Sequence, residues 1–142
     1  MRKSRKQAAV VIVLGLSLVL SGCSTGATSR LRTVTDDLDV ESFSTIVASD
    51  SYGQERNTTG PPPTQAYLFA SSPNLRSDLE RHLTSEGFVL SSPSYWSMPQ
   101  KDGLTAWARF EEFEPNATFK TVDGAETRVP SSGGLLIAFY VE

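Results

Sequence analysis

The chain has 142 residues, 39% of them hydrophobic and 20% charged, with one cysteine, one histidine and a formal net charge of −3. Its length suits a single domain. A lone cysteine excludes an intramolecular disulfide, a lone histidine excludes multi-histidine metal centres, and the acidic balance disfavours nucleic-acid or anionic-headgroup surfaces.

The first 23 residues divide into three parts. Arg2, Lys3, Arg5 and Lys6 make a cationic start, Ala8 to Leu20 is apolar apart from Gly15 and Ser17, and Leu20-Ser21-Gly22-Cys23 closes the run. Positive charge holds one end on the cytoplasmic side while the apolar run enters the membrane. Ala8 to Leu20 is 13 residues long, short of the roughly 20 that a spanning helix needs. Residues 1–22 therefore read as a signal peptide. The closing tetrapeptide, with its leucine, two small residues and cysteine, resembles the lipobox of bacterial lipoproteins. The resemblance implies that the Cys23 thiol receives a diacylglyceryl group and that the chain is cut between Gly22 and Cys23. Cys23 would then begin a mature protein held on the extracytoplasmic side of the cell membrane. Each buried CH₂ contributes about 0.8 kcal/mol, so two acyl chains anchor stably where one is marginal. The resemblance covers 23 of 142 residues and implies nothing about the domain. The competing readings are an ordinary secretory leader and an uncleaved anchor with a buried thiol.

All 16 acidic residues but only nine of the 13 basic ones follow Cys23, so the mature formal charge is −7. Ser24 to Thr35 is rich in Ser, Thr and Gly without apolar periodicity, and residues 23–35 read as the lipidated cysteine and a flexible tether of roughly 20 Å reach. Residues 36–142 read as one small α+β domain. Asp36 to Ser49 fits a helical face through Val40, Phe43, Ile46 and Val47, yet its β-branched and aromatic content favours a strand over Phe43–Val47 after a short turn at Asp37–Glu41. Asp36, Asp37, Asp39 and Glu41 crowd as in a calcium loop. Ser42 and Ala48 stand where the glycine and closing glutamate belong, so a solvated acidic turn is expected.

Asp50 to Thr64 is a loop ending in a stiff step at Pro61-Pro62-Pro63, which either enters an aromatic groove or sets the approach to the next strand. Asn57-Thr58-Thr59 and Asn116-Ala117-Thr118 match the N-glycosylation triplet, whose only content here is exposure. Gln65 to Ala70 reads as a strand. Ser72 as N-cap and Pro73 in the first turn open a helix over Pro73–Glu86, with Leu75, Leu79 and Leu83 on one stripe and Gly87 closing it. Phe88 to Leu90 begins a strand, Ser91 to Pro99 is irregular with brief pairing at Tyr95–Met98, and Asp102-Gly103 is a turn. Leu104 to Phe113 is a long strand with Leu104, Ala106, Ala108 and Phe110 on one face and Trp107 and Arg109 on the other. Phe119 to Arg128 is a hairpin arm about Asp123-Gly124. Leu135 to Val141, apolar on both faces, is a central strand. The expected fold is one helix packed on a mostly antiparallel sheet of four or five strands.

No catalytic set assembles from these residues. His82 stands at the rim of the leucine stripe, where packing at the core edge is the simpler role, and no second histidine or nucleophile motif accompanies it. No metal centre and no cofactor are expected, since Cys23 is taken by lipid and Ser132-Gly133-Gly134 lacks the lysine of a phosphate loop. Tyr95, Trp96, Trp107 and Arg109 are the candidate binding residues: on an open sheet face they form an aromatic and cationic surface suited to sugars, peptides or proteins. Burial of Trp107 under the N-terminal segment is the competing reading. The expected function is a lipid-anchored cell-envelope lipoprotein with a non-catalytic binding domain. Its partners are the membrane through Cys23 and an envelope protein or small ligand, with no nucleic acid. The alternatives are a small envelope hydrolase using His82 with a carboxylate, and an accessory subunit of an envelope complex.

Overall fold

Residues 26–53 and 59–142 are described by the computed structural model. The leader, the lipobox with Cys23, and Asn57-Thr58 lie outside the described residues. In chain order the elements are α1 (Ala27–Leu38), a 3₁₀ turn (Val40–Ser42), β1 (Ile46–Tyr52), β2 (Thr64–Ala70), α2 (Leu75–Ser85), β3 (Val89–Ser92), β4 (Tyr95–Pro99), β5 (Thr105–Phe113), β6 (Thr118–Lys120), β7 (Glu126–Arg128) and β8 (Gly134–Val141). Six strands form one antiparallel sheet in the order β1-β2-β8-β5-β4-β3, and β6 pairs with β7 as a separate hairpin. The class is α+β, but with six strands plus two, and two helices, rather than four or five strands and one helix. The sheet gains its sixth strand at β4: β3 takes up the strand expected from Phe88, and Tyr95 to Pro99, expected to pair only briefly, runs as a full strand between β3 and Thr105 to Arg109.

The second helix is the larger correction. Most of the expected tether, residues 27–35, is the body of α1. Ala27, Leu31, Val34 and Leu38 are all buried at spacings of four, three and four, which makes a stripe that packs on β8 and β2. The serines and threonines between them are poor helix formers, so packing rather than intrinsic propensity holds the helix. Thr33 and Thr35 turn their hydroxyls back to the carbonyls of Ser29 and Leu31, which satisfies them within the helix without strengthening it. Asp39, left-handed at φ 45°, ends α1 and turns Val40 into the core. Phe43 packs on that core, so the strand expected from Phe43 starts only at Ile46 and runs on to Tyr52.

α2 is shorter than expected, with Asn74 rather than Ser72 at its N-cap and no side-chain cap bond. Its end is as read: Gly87 has φ 98°, its N–H donates to Thr84 O and the Phe88 N–H to Leu83 O, the pairing of a Schellman motif. Leu75, Leu79 and Leu83 are buried, and they pack with α1 in the core cluster that also holds Phe69, Ala106, Ala108, Ile137, Phe139 and Val141. The other sheet face has its own core, where Phe119 and Val129 from the hairpin region close over Leu68, Leu136, Ala66 and Ala138. β8, between β2 and β5, is the central strand and is buried on both faces. Among the described residues no helix is long and apolar enough to cross a membrane.

Truncating Leu31, 6% exposed and inside the expected tether, tests whether α1 belongs to the folded unit. Leu31→Ala is expected to cost about 2–5 kcal/mol in urea unfolding, whereas exposed Arg32→Ala stays within about 0.5 kcal/mol. A flexible tether would leave both unchanged.

Candidate functional site

The hairpin covers only part of its sheet face. Where it stops, the register lines up Tyr52, Thr64, Tyr140, Trp107 and Ser97 in one row across five strands, and Ala66, Ala138, Arg109 and Tyr95 in the next. The small Ala138 makes a floor between larger neighbours. Pro61 and Pro62 form a wall beside Tyr52, and the result is a groove of about 320 Å³ that also takes in Tyr95, Arg109, Tyr140 and Glu142. The proline wall depends on Gly53: at φ 94°, a Cβ there would lie 1.9 Å from the Pro62 carbonyl oxygen, so no other residue fits that close approach.

Within the groove, Tyr95 is 37% exposed. The Arg109 guanidinium is 36% exposed and 3.5 Å from Glu111, a loose pair that leaves its donors open to a ligand. Trp107 stacks under Tyr140 with ring centroids 6.1 Å apart and planes 10° from parallel. It supports the groove and does not line it. Its Nε1 is buried without a hydrogen-bond partner among the described residues. Burial raises the Tyr140 pKa above its ordinary value, the charges of Glu142 and Tyr95 raise it further, and Arg109 opposes them. Tyr140 is therefore a neutral phenol, a hydrogen-bond donor, at physiological pH.

Of the four residues expected to share this surface, Tyr95 and Arg109 line the groove and Trp107 stands beside it on the same sheet face. Trp96 does not: it is 8% exposed in the helix-side core. Strand alternation explains the split, because Tyr95 and Trp96 are neighbours in β4 and so point to opposite faces. Tyr52, Pro61, Pro62, Tyr140 and Glu142 complete the groove, and the strand periodicity alone did not mark them. His82 lies on the other side of the sheet. Its Nε2 is 2.7 Å from the Leu38 carbonyl oxygen, so that nitrogen carries the proton, and its ring sits 4.8 Å from Phe43. It ties α2 to the end of α1. Among the described residues no three His, Cys, Asp or Glu side chains gather as a metal site. Cys23 lies outside the described residues.

Burial also raises the Tyr67 pKa, with Glu41 adding to it and the Thr35 hydroxyl opposing. A phenol whose folded pKa is raised binds its proton more tightly folded than unfolded. Its contribution is present below the unfolded value near 10.0 and is lost as pH rises through the folded one. Urea midpoints should thus fall above about pH 10, and Tyr140→Phe should flatten that fall. An equally steep fall in the variant would remove Tyr140 as a cause.

Compared with protein-family models, with curated proteins and with solved structures, the chain finds no match.

Proposed function

We propose that the mature protein is a lipid-anchored component of a bacterial cell envelope, held by diacylglyceryl on Cys23, whose domain binds a small ligand in the groove without transforming it. The observation that carries the binding half is the convergence of Tyr95, Tyr140 and Arg109 on one uncovered stretch of sheet. Tyrosine rings offer flat apolar surface with a polar rim. Arg109 adds a forked donor for an anionic or oxygen-rich group. The groove's size is at the lower end of small-molecule sites, so the fitting ligand has one or two rings, with an apolar ring face and an acidic or hydroxylated edge. Binding is favoured over hydrolysis because His82, the one histidine, gives its Nε2 proton to a backbone carbonyl across the sheet from the groove. The anchoring half is supported by the leader and the lipobox.

Two measurements test the halves separately. Cys23→Ser should move the protein from the membrane fraction to the soluble fraction, and a variant that still pellets with membranes would defeat the anchor. Native mass spectrometry of the protein extracted from its own membranes should show a retained small mass. Arg109→Ala should lose that mass while melting within about 2 °C of wild type, as a half-exposed surface change permits. Equal retention by both proteins would place the ligand elsewhere.

A further inference from the structure

The groove and the start of α1 share one end of the sheet. Arg30 reaches Asp102 through Nε at 3.0 Å and Nη2 at 2.8 Å, which pins the first turns of α1 to the β4–β5 turn. Just beyond that turn, Thr105 and Glu142 exchange backbone hydrogen bonds, and Tyr140 pairs with Thr64. The β4–β5 turn, the end of β8 and the start of β2 therefore lie together, and Pro62, Thr64, Tyr140 and Glu142 line the groove there.

Charge is divided unevenly along this axis. Arg30 and Arg32 in the first half of α1 and Lys101 in the β4–β5 turn stand at the groove end, in company with Glu142 and the Arg30-paired Asp102. Asp36, Asp37, Asp39 and Glu41 follow at the opposite end of α1. Glu111, Glu112 and Glu114 cluster at the far end of β5, Glu112 paired with Arg76 and Glu111 loosely with Arg109. A domain of net acidic charge that approaches an anionic surface is turned so that its cations lead and its carboxylates trail.

The third observation is length. α1 begins at Ala27, four peptide steps after Cys23, a span of at most about 14 Å when fully extended. A cysteine held at the bilayer surface leaves the domain no room to turn away from it.

We propose that the domain seats this end on the bilayer, with Arg30, Arg32 and Lys101 toward anionic phospholipid headgroups, so that the groove opens at the membrane interface. This rests on the reading of Cys23 as lipidated. The test is hydrogen–deuterium exchange of the lipidated protein, produced with its own leader and reconstituted in vesicles containing phosphatidylglycerol. A second protein carries about twenty Gly and Ser residues inserted between Thr25 and Gly26, enough for a span of roughly 25 Å. The expected result is exchange slowed severalfold at residues 100–104, and at the Gly60 and Thr64 amides that flank the three prolines, in the parent, and restored in the insertion protein. Arg32→Glu with Lys101→Glu, both exposed positions, should restore it partly. If intact mass shows the lipid on Cys23 while parent and insertion proteins exchange alike, the seating is overturned and the anchor stands. If no lipid mass is found on Cys23, both are overturned.

Discussion

Every layer of this protein depends on β8 being covered from both sides. Ile137, Phe139 and Val141 face the two helices, and Leu136 and Ala138 face the hairpin region. A strand so placed presents apolar side chains in both directions and must be roofed twice. The helices supply one roof in full. The hairpin supplies the other only over part of the face, and Tyr140 emerges where that roof stops. The groove is thus a consequence of how β8 is packed: it occupies sheet surface that the second roof does not cover, and the polar rims of Tyr140, Tyr95 and Arg109 make that surface tolerable to water.

The same packing fixes the course of residues 27–38. The helix-side core needs α1 as well as α2: α1 packs on β8 and β2, and Leu31, Val34 and Leu38 enter the same cluster as the α2 leucines, Tyr67, Phe139 and Val141. Recruiting those residues turns most of the expected tether into part of the folded domain, so the stability of the domain depends on chain that local pattern assigns to a linker. His82 belongs to this junction, since its bond to the Leu38 carbonyl oxygen ties the two helices where α1 ends.

Much of the secondary structure was legible in local pattern. The leucines of α2 repeat every four residues and Gly87 stops the helix with a backbone geometry that glycine reaches without strain. β5 alternates cleanly and β8 is apolar throughout, so one reads as half-buried and the other as central. α1 was hidden because its stripe has only four apolar members, set among Ser and Thr, and divides across the acidic residues that follow. β4 was legible only as a brief pairing at Tyr95–Met98, because it becomes a full strand by being held between β3 and Thr105 to Arg109.

The candidate site divides along the same line. The residue types that suit binding, Tyr95, Trp107 and Arg109, could be picked out from the chain by composition and by strand alternation. That Trp96 turns into the core, that Tyr140 stacks on Trp107, and that Pro62 closes against Gly53 all follow from register and close approach between segments far apart in the chain. The sequence by itself determined the α+β class, the α2 stripe and the central strand, because each is written in short-range periodicity, and its contiguous N-terminal motifs carry the expectation of a lipidated Cys23. Only the tertiary structure decided that residues 27–35 are helical, that one sheet face is half covered, and that the groove and the start of α1 share an end. Those features arise from which apolar surfaces are left over once the local elements form, and burial of that remainder is a property of the whole chain.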